Sequence, residues 1–289
     1  MIIGENREAV IKNIAAAAES GNFHSKVELN DPVLTAEQQR AITDAFLAKR
    51  KTTSFKFKSF VARQIANMLT AAINRKTEIK GMENLPKNLG AAIITSNHFS
   101  PIENTVIRHL TRKLGRKRLN IVSQITNLAM PGVIGFLMNY ADVIPLSDEL
   151  HYMNYGFSSV LSELFASGEV LLIYPEQEMW FNYRKPRPLK RGAYYYAAKA
   201  GVPLVCCFVE MTDLGKRDSG NFNKIKYTLH ILGTLYPDKN KTVKQNSIQM
   251  CQRDYELKKA AYEKAYGKKL DYRFEKHDIA GWVGNLNEQ

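Results

Sequence analysis

The sequence predicts a layered α/β domain, a central sheet flanked by helices, preceded by an N-terminal helical segment. Two observations carry that expectation. Short apolar runs at residues 91–94, 169–174 and 202–209 read as buried strands. Helical patterns alternate with strands from about residue 78 to 235, whereas only helical patterns occur before residue 77.

From the N-terminus, residues 7–20 read as a short helix. Val10, Ile11 and Ile14 share one side, and Gly21 is the stop. A polar stretch follows to Pro32. Thr35 and Gln38 make a capping-box pattern that opens a helix to about residue 50. A longer helix spans about 54–75, with Phe57, Val61, Ile65, Met68, Leu69 and Ala72 in one apolar stripe. From Lys49 to Lys80 there are nine Lys/Arg and one acidic residue, Glu78. Two readings are open for this segment. One is a core-packing helix with a solvated basic face. The other is an amphipathic helix lying on anionic lipid, where each basic residue contributes about 1 kcal/mol.

Residues 78–81 look like a strand end and 84–88 like a turn. The strand at 91–96 leads to Asn97 and His98. Ser100, Pro101 and Glu103 then form a helix start: an N-cap, a proline at the first helical position and an S-x-x-E capping box. That helix runs to about 114. A strand at 119–123, a helix at 130–140 and a strand at 142–146 follow. A helix at 152–167 ends at Gly168, and the strand at 169–174 runs into Pro175 and Glu176. A Pro- and Arg-rich loop, 181–191, leads to a helix at 192–200 closed by Gly201. Strands at 202–209 and 226–232 and a basic helix at 241–266 closed by Gly267 complete the pattern. The expected organisation is a helical, basic segment at 1–76, an α/β domain at 77–267 and a weakly patterned tail at 268–289.

Composition is that of a globular protein, with 45% hydrophobic and 24% charged residues, which excludes a disordered or collagen-like chain. Lys+Arg 41 against Asp+Glu 28 gives a net charge of +13. Such a surface favours anionic partners: nucleic acid, a membrane surface or phosphorylated small molecules. Cys206, Cys207 and Cys251 lack metal-ligand spacing and predict a reduced, intracellular protein. The N-terminus shows no signal-peptide pattern. The stretch from Leu119 to Ala141 is uncharged but too polar for a spanning helix, so contact with a membrane would be peripheral.

Three places carry candidate chemistry. His98 stands at the C-terminal end of a strand just before a helix, where reacting groups of open α/β sheets sit. With Glu103 it can take a proton from a hydroxyl, the carboxylate fixing the tautomer; the same carboxylate also has a capping role. Tyr174, Pro175 and Glu176 end a buried strand and point a carboxylate out of the sheet edge, unless Glu176 is simply a turn residue. Arg184, Lys185, Arg187, Lys190 and Arg191 put five cations within eight residues. They suit a phosphate-bearing partner, or they line a solvated loop. The interleaved Trp180, Phe181 and Tyr183 leave nucleic acid conceivable. The remaining histidines, His24, His109, His151, His230 and His277, read as structural or surface residues.

Together these stretches resemble the lysophospholipid acyltransferase family, in particular the bacterial 1-acyl-glycerol-3-phosphate acyltransferases, over roughly residues 77–235. Residues 81–86, Gly-Met-Glu-Asn-Leu-Pro, are similar to the segment preceding the family's first block. Residues 97–103 resemble its Asn-His-x4-Asp block, with Glu103 in place of aspartate. Tyr174-Pro175-Glu176 resembles its Phe-Pro-Glu-Gly block. Lys190-Arg191-Gly192-Ala193, followed by Val202-Pro203, resembles its Lys-x-Gly-Ala and Val-Pro blocks. The order and spacing of the motifs carry the likeness. Met179 stands where the family has its phosphate-binding arginine, and no arginine lies near Ile144–Ser147.

The resemblance implies a mixed central sheet of the glycerol-3-phosphate acyltransferase type. It implies transfer of a fatty acyl group from a thioester to the hydroxyl of a lysophospholipid such as 1-acyl-glycerol 3-phosphate. His98 would be the general base and Glu103 its orienting partner. Glu176, with Pro175 and Tyr174, would position the acceptor, and Arg184, Lys185 or Lys190 would contact phosphate. No metal or cofactor is expected. The donor would be acyl-CoA or acyl-carrier protein, and the expected site of action is the inner face of the cell membrane, peripherally, from the cytoplasm, on anionic lipid and without nucleic acid. Alternatives are a different acceptor (glycerol 3-phosphate or a non-phosphate hydroxyl) or a non-enzymatic basic lipid- or RNA-binding protein.

Overall fold

A computed structural model describes residues 6–29 and 32–284. Three helices come first: α1 (Arg7–Glu19), α2 (Ala36–Lys49) and α3 (Thr53–Ile73). The capping box read at Thr35 forms: its hydroxyl accepts from the Gln38 N–H, and Gln38 Oε1 accepts from the Thr35 N–H at 2.9 Å. The strands are β1 (Glu78–Lys80), β2 (Ala92–Thr95), β3 (Asn120–Gln124), β4 (Val143–Leu146), β5 (Val170–Ile173), β6 (Leu204–Ser219) and β7 (Phe222–Leu235). The helices among them are α4 (Asn104–Lys113), α5 (Gly132–Tyr140), α6 (Ser158–Ala166) and α7 (Gly192–Ala200); α8 (Val243–Tyr266) follows.

The strands form one seven-stranded sheet in the order β1-β7-β6-β2-β5-β3-β4. β2 lies between β5 and β6, parallel to both, and β6 pairs antiparallel with β7, so the sheet is mixed as expected. The period-2 alternation of strands divides the core. Ile94, Leu172 and Val205 face Val106 and Leu110 of α4 on one side. Ile93, Leu171 and Cys206 face Leu161 of α6 and Tyr194 of α7 on the other.

Four features depart from the sequence reading. The helix after His98 begins at Asn104, because residues 101–103 form a turn ahead of it. The expected helix at 152–167 is a π-helical turn over Tyr152–Phe157 continued by α6. β6 and β7 extend far beyond 209 and before 226 as a long antiparallel hairpin. Most of its outer residues on β6 are polar and exposed, so backbone pairing holds that arm with little apolar signature. Residues 268–284 are not loose. Ile279 bridges to Tyr183 and Trp282 to Phe222, and Ile279 and Trp282 join Val10, Ile11, Ile14 and Trp180 in a third apolar cluster. The end of that tail, 285–289, lies outside the described residues.

The stripe on α3 is turned outward. The helix buries Ser59, Ala62 and Thr70, while Phe57 is 67% and Met68 65% exposed, and Phe60 and Leu69 are exposed with them. α3 packs on α4 and α5, and α5 shows Val133 and Ile134 to solvent. Among the described residues no helix is long and apolar enough to cross a membrane.

Candidate active site

β2 is buried throughout and ends at Thr95, where the chain leaves the sheet. Asn97 ties that exit to β6. Its amide donates to the Val209 carbonyl at 3.1 Å and its oxygen accepts the Val209 N–H at 2.8 Å. The backbone of the next two residues is held from the other side. Trp180 N–H donates to the His98 carbonyl at 3.1 Å and Asn182 N–H to the Phe99 carbonyl at 2.8 Å. The His98 backbone is therefore fixed on two sides, and its ring remains 21% exposed.

His98 Nδ1 meets Oε1 of Glu103. The other carboxylate oxygen, Oε2, accepts the N–H groups of Phe99 and, at 2.5 Å, Ser100. One carboxylate thus both caps the turn and orients the ring. A carboxylate only accepts, so Nδ1 carries the proton and Nε2 presents its lone pair. Among the described residues Nε2 has no hydrogen-bond partner. Tyr174 stacks on the imidazole at 4.2 Å between centroids and 7° between planes. Burial, with the negative charge of Glu103, pushes the Tyr174 phenol well above its ordinary range, so it stays neutral beside the pair.

Glu176 reaches the same place from β5. It is buried; Oε2 accepts the His98 N–H at 3.2 Å, and both oxygens are held by Arg187. The Arg187 guanidinium donates to Oε2 at 3.0 Å and its backbone N–H to Oε1 at 3.1 Å. Arg187 also donates to the carbonyls of Phe23 and Glu178 and lies over the Trp180 ring. Pro175 accepts the Lys190 N–H at 2.8 Å through its carbonyl.

The structure thus brings His98, Glu103, Tyr174 and Glu176 together. It does not offer Arg184 and Lys185 to a ligand. Arg184 pairs with Asp213 at 2.5 Å and donates to the His277 carbonyl; Lys185 is buried against Asp278 at 2.7 Å. Both cations hold the C-terminal segment, which their sequence setting did not reveal. The Lys190 side chain is exposed and, with Arg187, helps to hold His24 below its usual value, although burial is the main cause.

Three contributors escaped the sequence reading. Arg187 was one of five equivalent loop cations, and nothing in the chain marked it as the partner of Glu176. His24 had no evident neighbour, yet its ring lies 3.4 Å from the Glu176 carbonyl. Asp254 and Lys258 lie on the helix read from the sequence only as basic and charged, yet both are fully buried and paired with each other. Asp254 accepts from Thr95 and from Tyr194, each at 2.6 Å, so α8 grips the end of the strand that delivers His98. The Asp-x3-Lys spacing was the available signal.

A histidine with its orienting carboxylate at the C-terminal edge of a mixed α/β sheet is a site suited to activating a hydroxyl for group transfer. The comparisons with known proteins specify the class. Residues 76–210 match the family model described as Acyltransferase. It is 29% identical over 150 residues to a chloroplastic 1-acyl-sn-glycerol-3-phosphate acyltransferase of Brassica napus, covering 52% of this chain and 41% of that protein. A second chloroplastic enzyme of that name, from Arabidopsis thaliana, is 28% identical over 150 residues, 52% of this chain and 40% of that one. The match therefore spans less than half the length of these relatives. The crystal structure of the 1-acyl-sn-glycerophosphate acyltransferase PlsC from Thermotoga maritima superposes with a TM-score of 0.52 at 17% identity, over 81% of this chain and 99% of that one. That likeness concerns the fold.

Proposed function

We propose that this protein transfers a fatty acyl group from a thioester donor, acyl-CoA or acyl-carrier protein, to the hydroxyl of a lysophospholipid such as 1-acyl-glycerol 3-phosphate. The observation that carries the reading is the His98–Glu103 pair, with Nδ1 engaged and Nε2 open. In the proposed mechanism Nε2 takes the acceptor's hydroxyl proton as the oxygen attacks the thioester carbonyl. Glu103 stabilises the imidazolium, and collapse of the tetrahedral intermediate expels the thiolate, which His98 protonates. Glu176, locked by Arg187, sets the backbone of the His98 turn and forms one wall of the acceptor's place.

The protein would work on an anionic membrane surface. The outward apolar faces of α3 and α5, with exposed Lys56 and Lys58 on α3, suit an interfacial rather than a spanning contact. The enclosure of Arg184, Lys185 and Arg187 leaves phosphate recognition to other residues and keeps glycerol 3-phosphate and unphosphorylated acceptors as alternatives. The deciding experiment is thiol release by purified protein with each donor and a panel of lysophosphatidic acid, glycerol 3-phosphate and monoacylglycerol. Turnover with lysophosphatidic acid above the others supports the reading. Strong, salt-sensitive lipid or RNA binding without thiol release from any pair would contradict it in favour of a non-enzymatic binding protein.

A further inference from the structure

A cavity of about 230 Å³ lies between the C-terminal end of α3 and the β6–β7 hairpin. Its apolar lining is Ala72, Ile73, Leu214 and Ile225, and its cations are Arg75, Lys76 and Lys226. It is smaller than the roughly 300–1,000 Å³ that encloses a whole drug-sized ligand, so it accommodates a headgroup.

Two connections join this cavity to the His98 turn. Asn74, the buried residue that ends α3, donates to the Thr105 hydroxyl at 3.0 Å, and Thr105 is two residues beyond Glu103. Asn74 also accepts from the Thr77 hydroxyl at 2.9 Å, so residues 74–77 are fixed against the first turn of α4. Tyr227 lines the cavity and packs its ring on Phe99, 5.6 Å between centroids, while Phe99 N–H is bound by Glu103. Burial and the charge of Glu103 push the Tyr227 phenol up to about 12. The ring thus stands between the catalytic carboxylate and the cavity.

The cations have the character of a binding group. Lys226 is paired with Glu78. Arg75 and Lys76 are exposed and, among the described residues, make no side-chain hydrogen bond or ion pair. Glu78 and Asp218 are the nearby acids, Asp218 acting on Tyr227. The cavity therefore combines apolar lining residues with two uncommitted cations, one of them a guanidinium able to grip phosphate with two donors.

We infer that Arg75 and Lys76, with Lys226, form the site for a phosphate ester group of a substrate beside the His98 turn. The inference rests on the acyl-transfer reading for the identity of the substrate, but phosphate binding itself can be measured without turnover. The acceptor's glycerol phosphate and the donor's phosphopantetheine share this chemistry.

The test is calorimetric titration of the full chain with glycerol 3-phosphate and, separately, with 4′-phosphopantetheine, for the parent, Arg75→Gln/Lys76→Gln and His98→Ala. The double variant should weaken binding of at least one probe by about tenfold or more, as loss of charge-assisted hydrogen bonds requires, while His98→Ala leaves it unchanged. The probe affected tells acceptor from donor, and the KM of that substrate should rise in step. Binding of neither probe to the parent, or binding that the double variant leaves intact, overturns the site. If thiol release is absent while the cation-dependent binding remains, the acyl-transfer reading fails and the phosphate site stands. Thermal unfolding of the double variant at the parent's temperature excludes misfolding as the cause, since both residues are exposed.

Discussion

Glu103 holds His98 with one carboxylate oxygen and the turn that carries His98 with the other. Orientation of the ring and geometry of the backbone are therefore coupled through a single side chain. The Asn-His-x4-Asp block that residues 97–103 resemble has aspartate where this chain has the longer Glu103. The longer side chain is accommodated with both oxygens engaged, Oε1 by His98 and Oε2 by the N–H groups of Phe99 and Ser100.

Glu103→Gln tests that arrangement. The amide oxygen can still accept from Phe99 and Ser100, but the amide NH₂ then faces Nδ1 and favours the tautomer with its proton on Nε2, which cannot act as a base. Thiol release should fall about 10²-fold or more, with a thermal midpoint near the parent's. A rate within threefold would show that the carboxylate only caps the turn.

Lys258→Met should destabilise the protein by about 3–5 kcal/mol, because it leaves Asp254 charged and buried. Asp254→Asn/Lys258→Met should recover much of that loss, since no unpaired charge remains. Denaturant unfolding of the parent, Asp254→Asn, Lys258→Met and the double variant measures it. Additive losses would mean that the pair contributes by packing alone.

The apolar face of α3 is outside the core, so Phe57→Asp/Met68→Asp should leave stability within about 0.5 kcal/mol. The same change should weaken binding to anionic vesicles by about tenfold or more, because two buried apolar groups would be lost from the interface. Cosedimentation reports it, and unchanged partition would remove α3 from the membrane contact.

His24 contributes a pH dependence. Burial, helped by Lys190 and Arg187, holds its folded-state pKa below 6.5. On acidification the unfolded chain takes the proton first, so stability is full above about pH 6.5 and falls as pH drops through the lowered value. His24→Gln should therefore show a smaller fall in thermal midpoint than the parent between about pH 7.5 and about 5.5. Equal falls would place His24 in solvent.

The strands were legible because a buried parallel strand needs an unbroken apolar run, as at Ile93–Ile94 and Leu171–Leu172. The His98 site was legible because its parts lie on strand ends at motif spacing. What stayed hidden depends on tertiary context. The β6 arm beyond Met211 is mostly exposed and carries no periodic signal. Whether the α3 stripe faces core or solvent cannot be decided from its period, since either side can be buried when Ser59, Ala62 and Thr70 are small enough to pack. Arg184, Lys185 and Arg187 differ only in which distant carboxylate each meets: Asp213, Asp278 and Glu176.

The central claim is that His98 accepts the acceptor's proton. The direct measurement is kcat/KM for thiol release by His98→Ala against the parent, with the preferred donor and lysophosphatidic acid. The account predicts a loss of about 10²–10⁴-fold with acceptor binding retained. A variant that releases thiol within threefold of the parent would contradict it.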